Sequence, residues 1–191
     1  MDAHPMSNGT VWLSLPTLDD VDAITECCRQ PSVAEWVTVP SPYHREDATG
    51  FIADIVGPGW AARSPTWALR EHAEGPVVGM VTLEATDASA AEIGFWLDAR
   101  KRRRGLMAQA VHMVCDFGFR TDGLDLDRIS WRAFVGNHAS AALARRAGFR
   151  FEGTARLGSL QRGVRRDHWF AGRLRTDPSA PAPDWPAECF G

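Results

Sequence analysis

The chain has little of what marks several classes of protein. It holds one tyrosine, Tyr43, among 191 residues, and its four cysteines include no pair in CxxC spacing. The cysteines therefore indicate neither a disulfide framework nor a metal site, and we expect no bound metal. We expect all four to be small buried side chains in a reducing compartment, namely Cys27, Cys28, Cys115 and Cys189.

Long apolar runs and an excess of positive charge are also missing. Charges or glycines interrupt every apolar stretch well before the roughly 20 residues that a membrane-spanning helix needs. Residues 1–10 contain Asp2 but neither the basic start nor the apolar core of a signal peptide. The formal net charge of −3 gives no global attraction to nucleic acid or to an anionic membrane. We therefore expect a cytoplasmic protein with no membrane and no nucleic-acid partner.

What the chain does have is a globular composition, with 45% hydrophobic and 24% charged residues. Its residue patterns predict strands at 12–15, 66–70, 77–85, 91–97, 128–134, 150–157 and 168–174, and helices at 18–31, 45–56, 106–119 and 139–147. Gly57, Pro58 and Gly59 should end the second helix. We expect one domain over 11–175, after a flexible segment at 1–10 and before a proline-rich tail at 176–191.

A first motif joins a strand to a helix. The strand Glu92-Ile93-Gly94-Phe95-Trp96-Leu97 is followed by Arg102-Arg103-Arg104-Gly105-Leu106-Met107. Successive backbone N–H groups before a helix form an anion site, and Gly105 lets that backbone approach a phosphate closely. On its own, the basic run 100–104 would indicate a solvated turn or a nucleic-acid patch. Its place between an apolar strand and an amphipathic helix favours a phosphate cradle.

A second motif lies downstream, where Asn137, Ser140, Leu143, Gly148 and Phe149 accompany a short helix. By themselves, Asn137 would be an ordinary N-cap and Ser140 a first-turn residue. Together, the two motifs resemble those of the GNAT superfamily of N-acetyltransferases, and of its RimJ/RimL-like branch in particular. The resemblance covers about residues 12–174, and the family pattern R/QxxGxG/A is broken only at its last position, by Met107.

The resemblance implies an α/β (α+β) GNAT fold, with a mostly antiparallel mixed sheet of about seven strands flanked by about four helices. It also implies acetyl-CoA as co-substrate and direct acetyl transfer to a primary amine in a ternary complex. The acceptor would be a protein N-terminus or an amine-bearing small molecule, and the habits of the branch suggest a homodimer. The cofactor-binding residues that it implies are Phe95, Trp96, Leu97, Arg102, Arg103, Arg104, Gly105, Leu106, Met107, Asn137 and Ser140.

The resemblance also assigns catalytic roles. Glu92 stands where several family members place a catalytic glutamate, and a protonated amine must lose a proton before it attacks a thioester. The alternative is a carboxylate with a structural role. Backbone N–H groups of Phe95–Leu97 would stabilise the oxyanion. Many relatives use a tyrosine as the acid, but Ala144 occupies that position here, so Ser140 is the candidate donor to the leaving sulfur and His168 an alternative proton handler.

Acceptor binding is less constrained by sequence. Trp36, Tyr43 and Trp60 lie where GNAT folds shape the acceptor entrance, and they would form an apolar or cation-binding wall unless they pack in the core. The alternatives within the fold are a larger acyl donor such as succinyl-CoA, an antibiotic amine as acceptor, or a noncatalytic acyl-CoA-binding module. From the basic run alone, a nucleic-acid-binding protein is a further alternative. An acidic acyl chain would be favoured by three arginines, namely Arg132, Arg156 and Arg166.

Overall fold

The computed structural model describes residues 3–191, and within them eight strands form one mixed sheet. The strands are β1 Met6–Ser7, β2 Trp12–Ser14, β3 Thr66–Arg70, β4 Gly79–Ala85, β5 Ala90–Leu97, β6 Arg128–Phe134, β7 Arg150–Gln161 and β8 Val164–Leu174. Their order in the sheet is β1-β2-β3-β4-β5-β6-β8-β7. β5 and β6 pair in parallel, whereas the pairs β1/β2, β2/β3, β3/β4, β6/β8 and β7/β8 are antiparallel. The predicted fold class is confirmed, with one strand more than expected.

Six α-helices accompany the sheet in the described residues. They are α1 Val21–Arg29, α2 Pro31–Ala34, α3 Arg45–Gly50, α4 Gly57–Ala61, α5 Leu106–Phe119 and α6 His138–Arg146. A π-helical segment, Phe51–Val56, joins α3 to α4, so the predicted helix end at residues 57–59 is wrong. Pro58 is accepted because it falls in the first turn of α4, where its missing N–H costs no helical hydrogen bond.

The chain divides into two compact units. The first consists of the residues up to Ala85 together with Gly94–Val114, and the second of Thr86–Ile93 together with Cys115–Gly191. Strand β5 and helix α5 each contribute residues to both units. The phosphate-cradle motif belongs to the first unit, whereas Glu92, Asn137 and Ser140 belong to the second.

The core of the first unit lies where α1 and α3 meet strands β3 and β4. Val21, Ile24 and Cys28 recur at helical spacing along one face of α1, and all three are nearly inaccessible to solvent. They join a buried cluster that also contains Tyr43 and Met80. This apolar face explains why α1 forms despite the acidic residues on its other side.

The second unit is dominated by the hairpin of β7 and β8. Both strands are longer than predicted, because they pair as far as Gln161 and Val164. The turn between them consists of Arg162 and Gly163, whose φ angles of 49° and 79° suit a two-residue hairpin turn. The register shifts between Ala155 and Ser159, which marks a bulge in β7.

The ends of the described chain are also packed. β1 lies within the segment 1–10 that the sequence indicates as flexible, and pairs with β2. In the segment 176–191, Ala182, Trp185 and Cys189 are buried. All four cysteines are free and buried, as predicted. Burial raises the pKa of the Cys27, Cys28 and Cys115 thiols to about 12, so none of these three is a thiolate at neutral pH.

Replacement of Gly123 by alanine should destabilise the protein by about 2–4 kcal/mol. The new Cβ would lie 2.0 Å from the carbonyl oxygen of Phe117, a backbone atom that already accepts from the amide of Leu124. The backbone would have to move, and the turn after α5 would distort. Urea unfolding followed by circular dichroism measures the loss in free energy of unfolding.

Gly50→Ala is the matched control. Gly50 has helical φ and ψ angles of −61° and −43°, and an added Cβ would meet only the Asp54 side chain, at 3.7 Å. This substitution should be neutral or should stabilise by up to about 1 kcal/mol, because alanine is the better helix former. Equal unfolding midpoints for Gly123→Ala and the wild type would contradict the tight approach at Gly123.

Candidate active site

The turn between β5 and α5 is built around Asp98. This carboxylate is 3% exposed and accepts hydrogen bonds from the amide of Arg100, at 2.8 Å, and from Nε2 of Gln30, at 3.1 Å. The guanidinium of Arg100 also donates to both of its oxygens. Hydrogen bonding from Arg100 is the largest cause that lowers the pKa of Asp98, to about 2, against the opposing effect of burial. Asp98 is therefore ionised throughout the neutral range and holds the start of the turn.

The cations of the basic run mostly have partners inside the protein. Lys101 and Arg104 both form ion pairs with Glu71, and Nη2 of Arg102 donates to the carbonyl of Ser32 at 3.0 Å. Only the exposed side chain of Arg103 has no protein partner among residues 3–191. The run is thus a braced turn with one guanidinium left for a ligand.

The backbone of this turn presents a row of donors. The φ angles of Arg103 and Gly105 are +63° and +75°, so left-handed residues interrupt the chain just before α5. Within the described chain, no protein group accepts from the amides of Arg103 through Ala108, and the first intramolecular donor after them is the amide of Gln109, to Gly105. Such a concave run of N–H groups at the positive end of a helix is a site for an anion.

Leu106 and Met107 contribute to this row by their amides alone. Their side chains are 4% and 6% exposed and pack inside the first unit. Position 107 therefore needs an apolar side chain that fits the core, and methionine meets that need without altering the N–H group. The departure from the family pattern at Met107 is compatible with an amide-based site.

The end of β5 offers a second set of backbone groups. The pairing of β5 with β6 covers Ala90–Ile93 only, although β5 continues to Leu97. The amide of Asp98 donates to Val78, which precedes β4, so by the two-residue period of a strand Phe95 and Leu97 direct their backbone groups to the opposite edge. Trp96 instead packs its side chain on the buried cluster of the first unit.

Glu92, in the second unit, forms an ion pair. Nε of Arg132 lies 2.9 Å from Oε1 of Glu92, with side-chain exposures of 52% for Arg132 and 25% for Glu92. Ser130 of β6 is the residue opposite Glu92 in the parallel pair, and Arg132 lies two residues after Ser130. The carboxylate is therefore partly accessible and already next to a cation.

His168 lies on β8, opposite Phe134 of β6. It is 8% exposed, and its Nδ1 is 2.8 Å from Oγ of Ser159. Burial lowers the pKa of His168, and the charge of Arg132 lowers it further, whereas Asp167 raises it. The imidazole is therefore neutral at neutral pH and chemically able to accept a proton.

Asn137 and Ser140 occupy the start of α6. The side chain of Asn137 caps the helix, because its Oδ1 accepts from the amide of Ser140 at 3.2 Å. Oγ of Ser140 in turn accepts from Nε1 of Trp131 at 3.1 Å. Since that oxygen accepts a hydrogen bond from the indole, the hydroxyl proton of Ser140 points elsewhere and can be donated to another group.

The residues expected to line the acceptor entrance are packed to different degrees. Tyr43 is 5% exposed and belongs to the buried cluster of the first unit. Trp60 is 4% exposed, stacks edge-on against Trp67 at 4.9 Å and donates to the carbonyl of Thr66. Trp36 is intermediate in exposure. Ala144, at the position where relatives carry a tyrosine, is buried.

Three contributors to these sites were not predicted from the sequence: Asp98, Trp131, and Arg132 as the partner of Glu92. Asp98 carried a usable signal, because an aspartate directly after a strand is a common cap of the turn that follows. The pairing of Glu92 with Arg132 depends on strand register, and that of Ser140 with Trp131 on how α6 packs on β6, so neither could be found by spacing. In the described residues, no group of three His, Cys, Asp or Glu side chains could hold a metal ion, and no helix is long and apolar enough to cross a membrane.

Comparison with known proteins places this geometry in a family. A family model described as an acetyltransferase (GNAT) domain matches residues 10–150. Two curated relatives from Bacillus subtilis (strain 168), YdaF and YjcK, carry the name N-acetyltransferase. They are 33% and 36% identical over 96 and 85 residues, which is 49% and 44% of this chain. The alignments cover 51% and 46% of the relatives, so the chain spans about half of their length.

Solved structures agree in fold. The microcin C7 self-immunity acetyltransferase MccE, in complex with acetyl-CoA and AMP, has a TM-score of 0.77 and 20% identity, covering 87% of this chain and 93% of that one. RimL, a ribosomal L7/L12 α-N-protein acetyltransferase, has a TM-score of 0.78 and 21% identity, covering 91% and 94%. The chain belongs to the GNAT acetyltransferase family, and RimJ/RimL-like ribosomal-protein acetyltransferases are among its structural relatives.

Proposed function

We propose that this protein transfers an acetyl group from acetyl-CoA to a primary amine. The observation that carries the proposal is the row of unpartnered amides from Arg103 through Ala108, at the N-terminus of α5, in a chain of the GNAT family. Acetyl-CoA supplies the activated thioester. Residues 11–175 would form the acetyltransferase domain, with 176–191 as its tail.

The first unit would hold the cofactor. Its pyrophosphate would accept from the amides of Arg103 to Met107, with the guanidinium of Arg103 as the added charge. Arg102 and Arg104 would contribute through their backbone, since their side chains brace the turn. Farther along β5, the backbone groups of Phe95 and Leu97 would pair with the extended pantetheine arm, as an added strand does at a sheet edge.

Glu92 would take the proton from the acceptor amine, directly or through a water molecule. Its carboxylate would also attract the ammonium form, in competition with Arg132, before deprotonation. His168, neutral and nearly buried, is the second candidate for the base.

Ser140 would donate its hydroxyl proton in a hydrogen bond to the departing sulfur. The indole of Trp131 already occupies one acceptor position of Oγ, which leaves the hydroxyl proton for the ligand. Asn137 would act by fixing the first turn of α6, the role that its capping hydrogen bond to Ser140 supports. With alanine at position 144, Ser140 is the best-placed replacement for the family's tyrosine.

The acceptor would be a protein N-terminus, as the name of RimL indicates for that protein, or a small amine. Trp36, Tyr43 and Trp60 stay candidates for its wall. The arginines that would favour succinyl-CoA are partly engaged, since Arg132 pairs with Glu92 and Arg166 stacks on Phe134 at 4.4 Å. Acetyl is therefore the preferred acyl group. A noncatalytic acyl-CoA-binding module would bind the cofactor without releasing CoA in the presence of amines.

We also propose a cytoplasmic location and a homodimer. The four free, buried cysteines fit a reducing compartment, which supports the location. Three exposed aliphatic side chains near the end of the β7–β8 hairpin would offer apolar surface to a second copy. These are Leu157, Leu160 and Val164, with 60%, 56% and 63% of their surface exposed.

Gly105→Val should weaken acetyl-CoA binding by about ten- to a hundredfold, the equivalent of one or two lost charge-assisted hydrogen bonds. Valine disfavours the φ of +75° at this position, and its side chain would stand where the pyrophosphate approaches. Isothermal titration calorimetry with acetyl-CoA measures the change in affinity.

Gly163→Val is the control for backbone strain. Gly163 has a φ of +79° in the hairpin turn, and an added Cβ meets nothing within 4 Å. The same substitution at almost the same φ should leave acetyl-CoA affinity unchanged. If the two variants bind acetyl-CoA as tightly as the wild type, the turn before α5 is not the phosphate site.

Glu92→Gln should lower the acetylation rate by roughly 10²- to 10⁴-fold, the range expected for loss of a general base, with little change in acetyl-CoA affinity. The deficit should shrink as pH rises towards the pKa of the amine, because the acceptor then deprotonates without help. Initial rates of CoA release, measured from pH 6 to 10 with a pooled library of amines, check this.

Glu152→Gln removes a similar ion pair, between Glu152 and Arg128, from the same unit. It should keep the wild-type rate at every pH. A Glu92→Gln enzyme with near-normal rates across the whole range would assign Glu92 a structural role. A wild-type protein that binds acetyl-CoA yet releases no CoA with any amine would instead support the binding module.

A further inference from the structure

The segment that follows β8 lies outside the residues matched by the family model and packs against α6 within the second unit. The amide of Ala182 donates to the carbonyl of Arg145 at 2.9 Å, and Nε of Arg145 returns a hydrogen bond to the carbonyl of Ala182 at 3.1 Å. The guanidinium of Arg145 also lies over the ring of Phe190, 5.3 Å from its centroid. The segment is thereby fixed to the last turn of α6.

Trp185 is the anchor of this segment. It is 9% exposed, and its Nε1 donates to the carbonyl of Phe149 at 2.9 Å. Its ring centroid is 5.6 Å from that of Trp131 and 5.4 Å from that of Phe151. Trp185 therefore contacts the chain immediately after α6, through Phe149, and the strand before α6, through Trp131.

Trp131 connects this anchor to the candidate donor. Its side chain is 1% exposed, and its one polar atom, Nε1, donates to Oγ of Ser140. A tryptophan side chain has only two torsions, so the rings packed against it determine where its N–H group points; the Trp185 ring is tilted by 55° to that of Trp131. If the contact with Trp185 is lost, the Trp131 ring can rotate and the hydroxyl of Ser140 loses the donor that orients it.

We infer that Trp185 is a positioning residue for acetyl transfer, which sets the orientation of the Ser140 hydroxyl through the indole of Trp131. This inference rests on the proposed function, since it takes Ser140 as the donor to the leaving sulfur. It assigns the segment 176–191 a role in the reaction, in addition to covering apolar surface.

The test is a double-mutant cycle on the turnover number. Ser140→Ala should lower kcat by about tenfold, and Trp185→Leu by about three- to tenfold, the range for a misplaced hydrogen bond. In the Ser140→Ala background, Trp185→Leu should cause no further loss of kcat. Trp131→Phe keeps a ring but removes the N–H donor, so it should match Trp185→Leu and give a second route to the result if that variant folds poorly.

Leu124→Ala controls for general destabilisation, because Leu124 is fully buried in the same unit. Assayed well below its melting temperature, it should keep the wild-type kcat. The inference would be overturned if Trp185→Leu lowered kcat by the same factor in the wild-type and the Ser140→Ala backgrounds. It would also be overturned if kcat were unchanged in both Trp185→Leu and Trp131→Phe.

Amide hydrogen exchange separates this inference from the proposed function. Trp185→Leu should speed exchange in α6 selectively, whereas Leu124→Ala should not. If Trp185→Leu speeds exchange in α6 but the wild type transfers no acetyl group, the contact between Trp185 and α6 is supported and the enzymatic role is rejected. Unchanged exchange in α6, with an active wild type, would reject the positioning contact alone.

Discussion

The buried carboxylate of Asp98 is the constraint on which the candidate cofactor site depends. It accepts hydrogen bonds from the amide and the guanidinium of Arg100 and from the side chain of Gln30, which directly follows α1. These contacts end β5 and force the chain into a turn, so the next residues reach α5 with their N–H groups unpaired. Without an ionised acceptor here, the amide and guanidinium of Arg100 and the Gln30 side chain would lose their common partner, and the start of the turn would no longer be fixed.

The sequence predicts the helices and strands whose apolar residues recur with a regular period on a buried face. It misses the strand segments whose bounds depend only on hydrogen bonding to a neighbouring strand. Helix α5 at 106–119 and strands at 66–70 and 128–134 are found with the predicted bounds, because their apolar residues recur at the helix or strand period. The extension of β7 and β8 towards Arg162 is missed, since that hairpin end is arginine-rich and solvent-exposed. β1 is a two-residue edge strand, too short for any period.

The features of the candidate site likewise include some that the sequence predicts and some that it does not. Local features, such as the glycine before α5 or an asparagine that caps α6, follow from neighbours in sequence and are visible there. Arg132 lies beside Glu92 because of the register between β5 and β6, which cannot be derived from either segment. Trp131 lies beside Ser140 because of how α6 packs on β6, which spacing does not give. Tryptophans add a further limit, because residue type alone does not distinguish the buried Trp60 from the partly exposed Trp36.

The pairing of Lys101 and Arg104 with Glu71 has a consequence for recognition. Carboxylates offset part of the positive charge in the turn, so a ligand would be held in large part by fixed backbone dipoles, which act over a few ångströms. Such a site discriminates by the shape and spacing of phosphate oxygens more than by total charge. Long polyanions gain little there from their many phosphates, and moderate ionic strength should screen the binding only weakly.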